Sequence, residues 1–363
     1  MGTKGLIVGG LLATFLGTTV GANDRFTLGT AVAGRGRTAT GVLEVDAGVD
    51  TALSIPVAVV NGAMDGPVLA LLAGAHGTEY ASIIALEQLI TTLDPTRVTG
   101  TVIIVPLLNV PSFTRLVPHL NPVDGKNMNR MYPGRPDGTQ TERASYAITR
   151  DVVERSDHVI DYHGGDLDES LRPYAYWSKT GRTVQDAESM AMVLAFGLDH
   201  IVVSTDRPSD PAASRFLENT ATTRGKASIT VEAGHAGTVE PADVSALTNG
   251  TLSVMRELGM LPGASAPVVH PVWIERLVTV TSERSGIFYP LVERGTYVES
   301  GMRLGYVTDF VGGRVADARA EAAGVVLYVR AVPSITEGET VASIGVVGEA
   351  PDLGLREGMA SGR

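Results

Sequence analysis

The chain of 363 residues is long enough for a large buried core, and its 44% hydrophobic and 19% charged content is that of a globular protein. A formal net charge of -11 argues against a nucleic-acid binder, which needs a basic face, but leaves room for a local cationic pocket. Without cysteine, disulfides, thiolate zinc sites and cysteine nucleophiles are excluded, so any metal must be held by His, Asp or Glu.

The N-terminal stretch MGTKGLIVGGLLATFLGTTVGAND sets Lys4 before an apolar segment and reaches Val20-Gly21-Ala22, a small-x-small cleavage pattern. Residues 1–22 therefore read as a secretory signal peptide, with export to the periplasm or medium expected and a cytoplasmic location as the alternative. No later run approaches the ~20 apolar residues of a membrane span. Short alternating strands follow to about Val60, with turns at Asn61-Gly62 and Asp65-Gly66-Pro67. PVLALLAGA is a continuous apolar strand, YASIIALEQLITTL has helical spacing, and GTVIIVPLLN is a second buried strand. TERASYAITRDVVERS reads as an amphipathic helix, DHVIDYHGG as a strand, RTVQDAESMAMVLAFGL as a helix, and HIVVS and ASITVEAG as strands. PADVSALTNGTLSVMREL is helical, with Pro241 suited to its first turn.

Such alternation implies an α/β fold over residues 23–263, a mixed and largely parallel sheet with helices on both faces. Residues 264–348 carry short β runs punctuated by Gly and read as a small all-β module resembling a barrel-sandwich carrier domain. No lysine follows Lys226, so that module cannot carry a lipoyl or biotinyl group. Residues 349–363 read as a flexible tail.

Ligands of open α/β sheets bind beyond the carboxyl ends of the strands, where His76, Asn109, His163 and Glu232 are expected. In GAHGTEY, Thr78 and Glu79 could simply cap the following helix. Alternatively, His76 and Glu79 in one turn and His163 on a neighbouring strand end form a three-ligand His/Glu/His set of the kind catalytic zinc sites use. Spacing leaves both readings open. Glycines 74, 77, 164 and 165 would let the backbone turn sharply around the histidines.

GAHGTEY, NPVDGKNMNRMYPG, DYHGG and ITVEAG stand in the order and spacing of the succinylglutamate desuccinylase/aspartoacylase family, a branch of the zinc carboxypeptidase fold. The chain resembles that family over about Pro67 to Leu258. The resemblance implies one Zn2+ held by His76, Glu79 and His163, with Glu232 as the general base for water. It also implies that Asn129 and Arg130 grip a substrate carboxylate, for which a guanidinium offers two parallel donors. The implied reaction is hydrolysis of an N-acyl amino acid or similar small carboxylate-bearing amide. Alternatives are a carboxypeptidase for short peptides, or an exported metal- or ligand-binding protein without turnover.

Two departures stand out. Many relatives have Asp where this chain has Asn127, and many have an arginine before PVDG that steadies the oxyanion. Here Arg115 and His119 are the candidates for that role, and His235 is a further candidate for a pocket contact or a loop histidine. His158 reads as structural, and His200 and His270 as surface or boundary residues. Asp166, Asp168 and Glu169 read as a solvated acidic loop, with a second metal site as the alternative. Tyr174, Tyr176 and Trp177 read as strand core, one of them available to line the pocket. Oligomeric state has no signature in the sequence.

Overall fold

The computed structural model describes residues 24–205 and 208–351. The expected signal peptide and most of the expected tail lie outside these residues. A hairpin of β1 (Arg25–Leu28) and β2 (Ala31–Gly34) precedes two long antiparallel strands, β3 (Arg37–Val45) and β4 (Leu53–Asn61). Next come β5 (Met64–Ala73), α1 (Tyr80–Thr92), β6 (Thr99–Val105), α2 (Val110–Arg115), α3 (Gln140–Ile148) and β7 (His158–His163). β8 (Glu169–Leu171), β9 (Tyr174–Ser178), α4 (Thr183–Phe196), β10 (His200–Ser204), α5 (Leu217–Thr223), β11 (Ala227–Glu232) and α6 (Pro241–Glu257) complete the α/β part.

The second half of β5, Leu69–Ala73, is apolar because both its faces are covered, whereas Met64, Asp65 and Gly66 at its start are exposed. Leu69, Leu71 and Ala73 enter the core under α1, α4 and α6, whereas Ala70 and Leu72 enter the opposite core under α3, α5 and the first hairpin. The period of two that divides side chains between faces holds in β6 and β7 as well: Val102, Ile104, Ile160 and Tyr162 face one way, and Ile103, Val105 and Val159 the other. Each leucine buried so completely contributes roughly 1.5–3 kcal/mol. α3 begins where a capping box dictates, with Thr139 at the N-cap and Glu142 returning to its backbone N–H.

The C-terminal region is all β, as expected: β12 (Val272–Thr281), β13 (Gly286–Pro290), β14 (Tyr297–Val298), β15 (Arg303–Thr308), β16 (Arg314–Arg319), β17 (Gly324–Arg330), β18 (Ser334–Ile335) and β19 (Thr340–Val347). It is continuous with the α/β part through hydrogen bonds. β12 runs parallel to β10 and antiparallel to β19, so one mixed sheet has the order β14-β17-β19-β12-β10-β9-β11-β7-β5-β6-β4-β3, with β8 beside β17. A second sheet, β16-β15-β13-β18, packs over a separate apolar core around Phe288 and Leu304. Tyr174, Val202, Ile274, Val325 and Leu327 form a small cluster that joins the two parts. His200 is buried at this junction against Asp199, Arg172 and Tyr297; His270 is exposed, as expected. Among the described residues no helix is long and apolar enough to cross a membrane.

Candidate metal centre and active-site cavity

The carboxyl ends of β5, β7 and β11 converge because these strands are parallel neighbours, with Glu232 directly opposite His163 in the register. The turn after β5 shows what the side chains of GAHGTEY contact. Glu79 occupies the N-cap position of α1, yet its side chain makes no capping hydrogen bond. Its carboxylate instead lies 2.7 Å from His76 Nδ1 through one oxygen and 3.1 Å from His163 Nδ1 through the other. Thr78 does not cap α1 through its hydroxyl either, which bonds to Asp166. The donor atoms of His76, Glu79 and His163 all lie within 4.8 Å of one another.

Burial alone would raise the Glu79 carboxyl, but the two imidazoles hold it well below the usual carboxylate range. Burial would lower His163, yet Asp161 and Glu79 raise it well above its ordinary value. Two imidazoles that turn the same nitrogen toward one carboxylate suit a divalent cation. A histidine that ligates through Nδ1 carries its hydrogen on Nε2, and both Nε2 atoms have an acceptor within reach. His76 Nε2 is 3.2 Å from Asn127 Oδ1. His163 Nε2 is 3.3 Å from Oδ1 of the fully buried Asp161. Asn127, the departure from the family pattern, thus keeps an acceptor in place without the charge.

Beside this set lies a cavity of about 540 Å³, within the size range of small-molecule sites. All six residues expected for metal, base and clamp line it. Burial pushes the Glu232 carboxyl well above the usual range; His163 opposes this, while Glu79 and Glu169 add to it. Asn129 Oδ1 accepts the Leu217 N–H at 3.0 Å, which sets its Nδ2 donor 3.0 Å from His163 Nε2; that contact is a hydrogen bond only when the His163 hydrogen is on Nδ1, so it competes with ligation through Nδ1. The Arg130 guanidinium stacks over Phe216, 4.6 Å from the ring centroid, and bonds back to the Asn129 carbonyl at 2.6 Å. Burial and the neighbouring Arg215 lower its pKa from the ordinary value.

The three remaining candidates separate. Arg115 is exposed at the end of α2 and does not line the cavity. His235 stands on the loop after β11, its Nδ1 enclosed without a hydrogen-bond partner among the described residues, and it too is absent from the cavity wall. His119 adjoins the metal set, its ring centroid 5.9 Å from that of His76. It bonds to Asp168 at 2.9 Å and lies 3.3 Å from Asp166. Burial lowers its pKa, but these acids prevail and hold it at about 9.

The acidic loop corrects the expectation of a solvated segment. Asp166 is fully buried and accepts bonds from Thr78, the Leu167 N–H and the His119 N–H. Glu169 lines the cavity, and its pKa is raised to about 7 by burial and then by Glu79. Tyr174 and Tyr176 also both line the cavity, whereas Trp177 is core as expected. Tyr328, Phe216 and Glu218 join them from elements far away in sequence. Of the residues missed, only Asp161 had a local signal: two positions before His163 on one strand, it must share that residue's face.

The family model for the succinylglutamate desuccinylase/aspartoacylase catalytic domain matches residues 65–258. The N-alpha-acetyl-L-2,4-diaminobutyric acid deacetylase of Halomonas elongata is 32% identical over 309 residues, covering 82% of this chain and 87% of that protein. A succinylglutamate desuccinylase structure from Silicibacter sp. TM1040 superposes with a TM-score of 0.77 at 26% identity, covering 86% of this chain and 95% of that one. The product-bound ectoine utilization protein EutE (DoeB) from Ruegeria pomeroyi gives 0.76 at 28% identity, with 85% and 95% covered. The chain belongs to the succinylglutamate desuccinylase/aspartoacylase family and is an enzyme of its deacylase class.

Proposed function

We propose that the protein is a zinc-dependent hydrolase of the amide bond in an N-acyl amino acid or a similar small carboxylate-bearing amide. The observation that carries this reading is the convergence of His76, Glu79 and His163 in the cavity that also holds Glu232 and Arg130. The donor set fits zinc, which when bound at such a site lowers the pKa of water towards ~7 and polarises a carbonyl. Arg130 and Asn129 would hold the substrate carboxylate, and the stacking of the guanidinium on Phe216 fixes the plane in which its two donors point. The acyl amide would then lie in the same cavity as Glu232. That carboxylate takes the proton of the attacking water and returns it to the leaving amine. Its raised pKa favours the return step, and a nearby cation would favour the ionised form needed for the first.

Elemental analysis of the purified protein should find one zinc per chain. Turnover of an N-acyl amino acid panel should exceed that of a dipeptide panel and fall by about 10²–10⁴ in Glu232→Gln with zinc retained. Preference for the dipeptides would favour the carboxypeptidase reading, and zinc binding without any turnover would leave a binding protein. Residues 1–22 are proposed to direct export, which N-terminal sequencing of the mature protein tests.

A further inference from the structure

β11 lies between β7 and β9, and the register sets three side chains in one row at its carboxyl end: His163 on β7, Glu232 on β11 and Tyr174 on β9. Two residues along each strand, and therefore on the same face, a second row holds Asp161, Thr230 and Tyr176. All six line the cavity. Directly opposite residues of an antiparallel pair have Cβ atoms about 4.5–5.5 Å apart. Tyr174 therefore stands beside Glu232, on the side away from His163.

The two phenol oxygens lie 3.2 Å apart, and the ring centroids 5.3 Å. Neither hydroxyl has another hydrogen-bond partner among the described residues. Two phenols carry two hydrogens, and the bond between them uses one. The pair thus keeps one O–H for something that enters the cavity. Burial raises both phenols above the ordinary tyrosine value and the Glu232 charge adds to the rise, so they stay protonated donors. At Tyr176 a bond accepted from Tyr174, and then Arg130, act against that rise, which makes Tyr176 the donor at the end of the pair. The acyl oxygen of a bound amide belongs on the His163 side of Glu232. The side toward β9 is left to the amino-acid half, whose carboxylate Arg130 would hold. Arg130 already donates to the Asn129 carbonyl, and a carboxylate has about four acceptor sites to fill.

We propose that Tyr176 is a substrate-binding residue: its O–H, oriented by the bond from Tyr174, donates to the substrate carboxylate beside Arg130 and so seats the amide nitrogen at Glu232. Tyr174 is the positioning residue of the pair. This rests on the deacylase reading above and adds a donor outside the Asn129 and Arg130 clamp.

The test uses the zinc-loaded enzyme on the N-acetyl derivatives of alanine, aspartate and ornithine, each as the free α-carboxylate and as the α-carboxamide. In Tyr176→Phe, which keeps the ring and its packing, KM for the carboxylates should rise about 10-fold with kcat nearly unchanged. That is the lower end of what a hydrogen bond to a charged group contributes, since Arg130 still holds the same carboxylate. The carboxylates should lose at least about threefold more than the carboxamides, a difference that general loosening of the fold would not produce. Tyr174→Phe should raise the same KM by about threefold or more, and it carries the test if Tyr176→Phe does not fold. An unchanged carboxylate KM in the folded variant, a loss confined to kcat, or equal losses on carboxylates and carboxamides overturns this assignment alone. Failure of the wild type to cleave any of the six overturns the deacylase reading with it.

Discussion

Asp161 is the place where a small chemical change should have a measurable effect on metal binding. It is fully buried at the cavity wall, its Oδ1 lies 3.3 Å from His163 Nε2 as an ion-pair contact, and that oxygen has no hydrogen-bond partner among the described residues. Asp161→Asn keeps the volume and an acceptor while removing the charge. At ~3.3 Å and an effective dielectric constant of about 20, the attraction to a full positive charge would be roughly 5 kcal/mol, an upper bound for a ligating imidazole that is itself neutral. Desolvation of the buried carboxylate offsets most of that bound. Losses of about 10–100-fold in metal affinity, the usual consequence of removing a partner of a ligating histidine, correspond to roughly 1.4–2.8 kcal/mol and fit within it. The assay is zinc titration against a fluorescent chelator, with thermal unfolding of the apo protein as the control. Asn127→Asp, which adds the missing charge behind His76, should shift affinity the other way. Zinc affinity in Asp161→Asn within about threefold of wild type, with the fold intact, would refute the claim that this carboxylate orients His163.

Arg130→Lys should raise KM for an N-acyl amino acid by about 10–100-fold with a much smaller change in kcat, because the paired donors serve ground and transition state alike; steady-state kinetics on the zinc-loaded enzyme measures it. Gly77→Ala should destabilise the protein by about 1–3 kcal/mol, since its Cβ would lie 2.4 Å from the Phe113 backbone nitrogen and 2.7 Å from Ser112 Oγ. A lowered urea midpoint at constant slope would report that loss. Glu142 pairs with Lys126 and the Thr139 N–H, which hold its carboxyl down to about 2. Its folded pKa is below its unfolded value, so its stabilisation is present above about 4.5 and lost as pH falls towards 2. Glu142→Gln should flatten that part of an acid-unfolding profile relative to wild type.

The local pattern of the chain determined which segments are buried strands and where they stop. A run such as PVLALLAGA can be satisfied only by cover on both faces, and a strand between two helices ends with its last residues at the open edge of the sheet. His76, His163 and Glu232 were legible for that reason, and motif order supplied Asn129 and Arg130. The sequence alone left Glu79 undecided between helix cap and ligand, because both roles ask for a carboxylate at the same position. Only the approach of β7 to β5 brings His163 within reach of the second oxygen, the arrangement on which the ligand reading rests. The acidic loop was misread for a related cause. Charge in a sequence suggests solvent until the folded chain shows which partners surround it, and here Thr78, His119 and Arg330 arrive from segments far from the loop. Tyr328 and Phe216 likewise joined the cavity through the packing of β17 and α5, contacts that no local periodicity encodes.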